Sequence, residues 1–201
     1  MNSSEILRDA TLTVSYAFEN TLLDNDPLGI NGTSIGSPYT ASGRVGQALP
    51  LSANMPTVTL SGTIVHVSSG ASGRSWSMPM LGFVNPSHIQ AHGCSTSGST
   101  TLIGSTVSAG IWTHIAVTYG AFNGLRLWIN GGQFATSSAV YNYSVVDLPV
   151  TMTISSYFAS SDSCSLSNIM TGQYFGLVDE FQLFSRELSS TDALSFANPL
   201  T

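Results

Sequence analysis

The chain has 201 residues, a formal net charge of −6 and only 8% charged residues, with 11 acids against five basic side chains, all of them arginine. Those arginines, Arg8, Arg44, Arg74, Arg126 and Arg186, stand singly, so there is no basic patch to grip a phosphate backbone or an anionic bilayer; nucleic acid is excluded as a partner, and no apolar run is long enough for direct membrane insertion. Soluble domains average roughly 25% charge, so this surface must be built from Ser, Thr, Asn and Gly and take its solubility from neutral hydrogen bonds or attached glycans, which points to an extracellular or cell-surface location.

The length suits one β-domain spanning residues 1–201. The first residues read MNSSE, without the basic stretch and apolar core of a secretory signal. Either such a signal has been removed, or export takes another route.

The chain reads as short β-prone runs separated by Gly, Asn, Ser and Pro. Thr11 to Phe18 alternates, with Leu12, Val14, Tyr16 and Phe18 on one face. Asp24 to Gly36 is rich in turn residues and predicts a long loop. Val45 to Leu51 and Thr57 to Val67 are further strands, the second divided by a turn at Ser61-Gly62. Ser75 to Val84 is broadly apolar, and Pro79 predicts a bulge or an edge position there. Thr101 to Val107 is a short candidate.

Trp112 to Tyr119 and Leu125 to Ile129 form the clearest pair, with Trp112 and Trp128 expected in the core. Turns fall at Asn123-Gly124 and Asn130-Gly131-Gly132, whose residues tolerate positive φ. Pro149 to Ser155 and Tyr174 to Phe184 are later strands, and the second embeds Asp179-Glu180 among large apolar residues. Leu188 to Phe196 predicts a short helix capped by Ser189 or Ser190, with Asp192 favourable near its N-terminus. The intervals hold turns rather than amphipathic crossover helices, so the sheets are antiparallel.

Two cysteines, Cys94 and Cys164, lie in Ser/Gly-rich segments. They are compatible with one bridge across a sandwich or with two separate thiols.

These runs together resemble the laminin-G-like members of the concanavalin A-like lectin/glucanase superfamily. The resemblance is carried by Tyr16-Ala17-Phe18-Glu19 followed by Leu22-Leu23-Asp24, by Gly43 to Leu49, by WTHIAVTYG from Trp112 to Gly120, by LRLWINGG from Leu125 to Gly132, and by Phe175 to Asp192. It implies an all-β, jelly-roll-like sandwich of two antiparallel sheets with a short C-terminal helix, used outside cells to recognise glycans or proteins. It further implies that Asp179 lies near Glu19, a pair able to support a structural calcium, since Ca²⁺ takes oxygen ligands. The alternative is that Asp179 and Glu180 bond to backbone groups or pair with Arg44 or Arg186. Asp24 and Asp26 are further loop acids without the rest of a helix-loop-helix calcium signature.

Sugar binding uses aromatic faces flanked by carboxylate, amide and hydroxyl groups. The candidates are Trp76, Tyr141, Asn142, Tyr143, Tyr157 and Asp162, each with packing as its alternative. Sequons at Asn2, Asn31 and Asn142 are candidate glycosylation sites in a secreted chain. No catalytic residues are assigned. The alternating Glu and Asp strand common to glucanases of this superfamily is absent, and His66, His88, His92 and His114 form no triad-like constellation.

The expected function is therefore non-catalytic recognition or adhesion, with a glycan or an extracellular protein as partner. The alternative is a self-assembling structural subunit of a filament, coat or matrix, whose partners are copies of itself.

Overall fold

The computed structural model describes residues 11–26, 28–34, 41–51, 60–70, 76–95, 98–138, 150–155 and 167–198. The chain divides into two compact units, one comprising 1–56 and 176–192 and the other 57–175 and 193–201. Among the described residues, every strand pair is antiparallel, with one isolated parallel bridge between Thr63 and Gln173. The domain is all-β with one short C-terminal helix and has the character of a jelly-roll-like sandwich.

The first unit holds β1 (Leu12–Tyr16), β2 (Ala41–Ser42), β3 (Gln47–Pro50), β12 (Leu177–Val178) and β13 (Phe181–Phe184). β1 pairs with β13, and β3 lies between β12 and β2. The alternation in the first run buries Val14 and Phe18, and the ring of Tyr16 stacks on Phe181 with centroids 6.3 Å apart. Asp24 organises the loop that follows. One of its oxygens accepts the N–H groups of Ser15 and Asp26, the other that of Ile30. Partial burial opposes ionisation there, but these three donors outweigh it and hold the carboxyl below the usual range.

The second unit holds a five-stranded sheet in the order β11 (Val150–Ile154), β4 (Thr63–Ser69), β5 (Ser77–Asn85), β6 (His88–Ser95) and β7 (Gly98–Thr106). A three-stranded sheet runs β10 (Gly132–Ser137), β9 (Gly124–Ile129) and β8 (Ile115–Gly120). The two pack through β7 against β9 and β10. Gly104 of β7 has no room for a side chain, because a Cβ would come within 2.5 Å of Ile89 and 3.0 Å of Leu127 and Ile129. Trp128 is 3% exposed and donates its indole N–H to Thr118 Oγ1 at 3.0 Å, the partner a buried indole requires. Asn130 and Gly131 close the β9–β10 hairpin with φ of 49° and 79°, as a two-residue turn demands.

Pro79 lies on β5, an inner strand, and of the two expected devices it is the bulge that accommodates its missing N–H, where the β4–β5 register slips between Val65 and His66. Two expectations change. Trp112 is not core: β8 starts at Ile115, which leaves Trp112 in the irregular segment before it at 38% exposure. The run from Tyr174 to Phe184 is two strands, broken at Asp179-Glu180.

The helix α1 (Ser190–Ala197) is capped by Ser189. Asp192 N donates to Ser189 Oγ, while Asp192 Oδ2 accepts from Ser189 N and Oγ and forms an ion pair with Arg186 at 2.9 Å. This is a reciprocal capping box. Asp192→Ala is expected to destabilise the protein by about 1–2 kcal/mol, read as a lowered denaturant midpoint with unchanged m-value.

Candidate functional site

The break between β12 and β13 is where the acids act. Glu180 takes a left-handed φ of 49°, which ends the strand and frees the Asp179 carboxylate to face the β2–β3 hairpin. That hairpin closes with Gly43 N donating to Gly46 O at 3.0 Å, leaving Arg44 and Val45 as its two loop residues. Loop N–H groups have no ladder partner. Asp179 Oδ2 accepts both, from Arg44 N at 2.7 Å and Val45 N at 3.0 Å, while Oδ1 accepts Glu180 N at 2.9 Å.

Glu19 reaches the same hairpin two residues beyond Val45, where its Oε1 accepts Gln47 N at 3.1 Å. Phe18 and Asn20, on either side of it, are also left-handed, with φ of 56° and 57°. Such residues cost of order 1 kcal/mol each and cluster at specialised sites. Gly43 and Gly46 make the approach feasible. A Cβ on Gly43 would come within 2.5 Å of Gln47 O and 2.6 Å of Asp179 Oδ2, and one on Gly46 would overlap the Glu19 carboxylate. Beside the clasp lies a shallow depression lined by Ala41, Ser42, Gly46 and Gln47.

Glu180 completes a set of three acids. Burial, then the negative charges of Asp179 and Glu19, push its carboxyl above its ordinary value of 4.5. The folded state therefore binds this proton more tightly than the unfolded state, so stability falls as pH rises from that ordinary value through the raised folded one. Glu180→Gln is expected to be more stable than the parent at neutral pH, with the difference vanishing below about pH 4; thermal midpoints recorded across that range test this.

Glu19 and Asp179 thus meet at one hairpin, as the resemblance implied. The Arg44 group bonded to Asp179 is its backbone N–H, and the acid paired with Arg186 is Asp192. Trp76, half-buried just before β5, exchanges hydrogen bonds with Ser69 through its backbone N–H and carbonyl. Tyr141, Asn142, Tyr143, Tyr157 and Asp162 lie outside the described residues, as do Asn2 and Cys164. Cys94 is disulfide-bonded. Asn31 is exposed, and its Oδ1 accepts Asp24 N at 3.0 Å.

The alternative in which Asp179 bonds to backbone groups is what the structure shows; the sequence reading did not name the β2–β3 hairpin as the segment that supplies them, although Gly43 and Gly46 bracketing two residues were its signal. It also missed Phe122, which is 98% exposed in the β8–β9 turn.

The family model described as the concanavalin A-like lectin/glucanases superfamily, a laminin-G type, matches residues 53–193. No curated protein matches the sequence. Among solved structures, the chain is similar to domain 4 of AbnA, an extracellular GH43 arabinanase of Geobacillus stearothermophilus solved with arabinotriose, at 18% identity and a TM-score of 0.56, covering 93% of this chain and 98% of that one. It is also similar to the binding domain of paraclostridial mosquitocidal protein 1, at 14% identity and a TM-score of 0.61, covering 95% and 52%. A structure of botulinum neurotoxin type C, whose cell entry is described as dependent on two ganglioside molecules, matches at 11% identity and a TM-score of 0.56, covering 99% and 53%. The chain thus spans about half the length of these two toxin structures.

Proposed function

Because the chain belongs to the concanavalin A-like lectin/glucanase superfamily, we propose that it is a non-catalytic recognition domain that works outside the cell and binds carbohydrate. The observation that carries this is the end-to-end match to an arabinanase domain solved with arabinotriose. The ganglioside dependence described for botulinum neurotoxin type C supports carbohydrate as the ligand class, and a chain with 8% charged residues and a net charge of −6 suits a neutral sugar better than an anionic one.

The engagement of the acids supports the absence of catalysis. Hydrolysis of a glycosidic bond uses two carboxyl groups, one to protonate the leaving oxygen and one to attack or activate water. Both oxygens of Asp179 and one of Glu19 already accept backbone N–H groups, which makes them parts of the frame.

The test is titration of the purified chain with arabino-oligosaccharides and with ganglioside headgroup glycans, alongside an assay for new reducing ends. Saturable binding without hydrolysis is expected. Trp76→Ala, and Tyr141→Ala combined with Tyr143→Ala, are expected to weaken it about tenfold, the loss of roughly 1.4 kcal/mol of stacking. Released reducing ends would overturn the non-catalytic reading. Self-association without glycan binding would favour a structural subunit instead.

A structural calcium at Glu19 and Asp179 is a second proposal, favoured by the crowding that pushes Glu180 up, because a divalent cation would relieve it. The fit is partial. Ca²⁺ takes six to eight oxygens, and three of the four oxygens on Glu19 and Asp179 already serve N–H donors, so Glu19 Oε2 and the Glu180 carboxylate would have to lead the shell. Calcium is expected to raise the thermal midpoint of the parent and not of Glu180→Gln; equal midpoints with calcium and with chelator would remove this proposal.

A further inference from the structure

The β8–β9 hairpin ends in a turn that carries a side chain the fold does not use. β8 and β9 pair without slippage from Ile115↔Ile129 to Gly120↔Gly124, which leaves Ala121, Phe122 and Asn123 to reverse the chain. Asn123 N donates to Gly120 O at 3.2 Å, so Ala121 and Phe122 are the central pair of a β-turn, and Gly124 follows with a φ of 68°. A turn and then one left-handed residue is a common way to close a three-residue hairpin. Leu125, at the foot of the turn, is buried and anchors it to the core.

Phe122 does not belong to the chemistry of that turn. Turns draw on Gly, Pro, Asn, Asp and Ser, each for a reason of backbone geometry or local hydrogen bonding; Gly120, Asn123 and Gly124 fit that pattern, and Ala121 is small. A phenylalanine supplies none of those advantages. It does not pack either. Central turn residues have no cross-strand neighbour to cover them, and Phe122 is 98% exposed, whereas no other large apolar side chain among the described residues exceeds 67%. Single apolar residues at partial exposure are ordinary, but a whole benzyl group presented to water on a hydrogen-bonded turn contributes nothing to the core. Where a local rule is broken without a gain in packing, a functional role is the expected reason.

The surroundings of the ring are polar and uncharged. Asn123, the next residue, is exposed. Ser137 of β10 pairs with Leu125, so Ser138, which follows it and is exposed, leaves β10 beside the turn. No acidic or basic residue lies between Tyr119 and Leu125, and Arg126 stands further down the ladder, opposite Thr118 and Thr136. A tip without lysine or arginine has nothing to draw it to an anionic bilayer.

We propose that the β8–β9 turn is a sugar-binding tip, on which the ring of Phe122 stacks against the C–H face of one neutral sugar unit, with Asn123 and Ser138 as the flanking hydrogen-bonding groups. This rests on the carbohydrate-binding reading and assigns a site to it. The face of an aromatic ring is electron-rich and attracts the weakly positive C–H groups of a sugar, while its area is shed from water on contact. Phenylalanine has no polar handle of its own, so orientation falls to the amide and hydroxyl beside it. The hydrogen-bonded turn fixes the backbone before the sugar arrives, which leaves only side-chain freedom to be lost on binding.

The test is titration of the parent, Phe122→Ala, Phe122→Leu and Phe122→Tyr with a panel of neutral oligosaccharides that includes arabinotriose, with amide chemical shifts followed at residues 120–125. Saturable shifts at Phe122, Asn123 and Gly124 are expected in the parent. Phe122→Ala and Phe122→Leu are each expected to weaken binding about tenfold, and Phe122→Tyr to preserve it, with thermal midpoints unchanged because so exposed a side chain supports no packing. Binding by Phe122→Leu at parental strength would overturn the stacking and make the tip a plain apolar contact. Sugar binding that leaves residues 120–125 unshifted and survives Phe122→Ala would overturn this site alone. A parent that binds no member of the panel would overturn it together with the carbohydrate reading.

Discussion

The Asp179 carboxylate is the constraint on which the architecture of the first unit depends. It serves three backbone N–H groups, two in the β2–β3 hairpin loop and one at Glu180, and so ties together segments about 135 positions apart in sequence. A loop N–H without a partner is a liability, and a charged acceptor satisfies it more strongly than a neutral one. The same device recurs. Glu19 serves Gln47, Asp24 serves Ser15, Asp26 and Ile30, Asp26 serves Leu28, and Asp192 serves Ser189. A chain with 11 acids, five arginines and no lysine has few cations to pair with, and it uses its carboxylates as acceptors for irregular backbone.

Much of this was legible in the sequence. Alternation placed Val14 and Phe18 inside, the Asn130-Gly131 pair marked a tight hairpin, and Ser189 with Asp192 marked the helix start, because each signal is local and acts within a few residues. Trp112 was misplaced because alternation does not say where a strand begins, and here β8 starts only at Ile115. The Asp179-Glu180 pair looked anomalous inside a β-prone run, and it is the point where the run breaks. Its partners are backbone groups of a distant hairpin, which no side-chain pattern encodes.

The second unit shows the complementary strategy. Its sheets bury polar side chains, Thr63, His66, Ser68, Ser77, Gln90 and His92, along with Phe83, Ile89 and Leu127. A polar interior of that kind is a frame that specifies one arrangement when its bonds are made, since each missing bond is penalised. Under the proposed recognition role, binding would fall to loops and exposed aromatics held by a β framework, with the carboxylates committed to the backbone.

The most direct measurement is native-state amide hydrogen exchange at Arg44, Val45 and Glu180, compared between the parent and Asp179→Asn. An asparagine has one acceptor oxygen where the aspartate has two, and it lacks the charge. The account predicts that exchange accelerates about tenfold or more at Glu180 or at the two hairpin residues, as expected when a charge-assisted bond of about 1.5–3 kcal/mol is lost. Unchanged protection at all three amides would contradict it, and would mean that the hairpin holds its shape without the carboxylate.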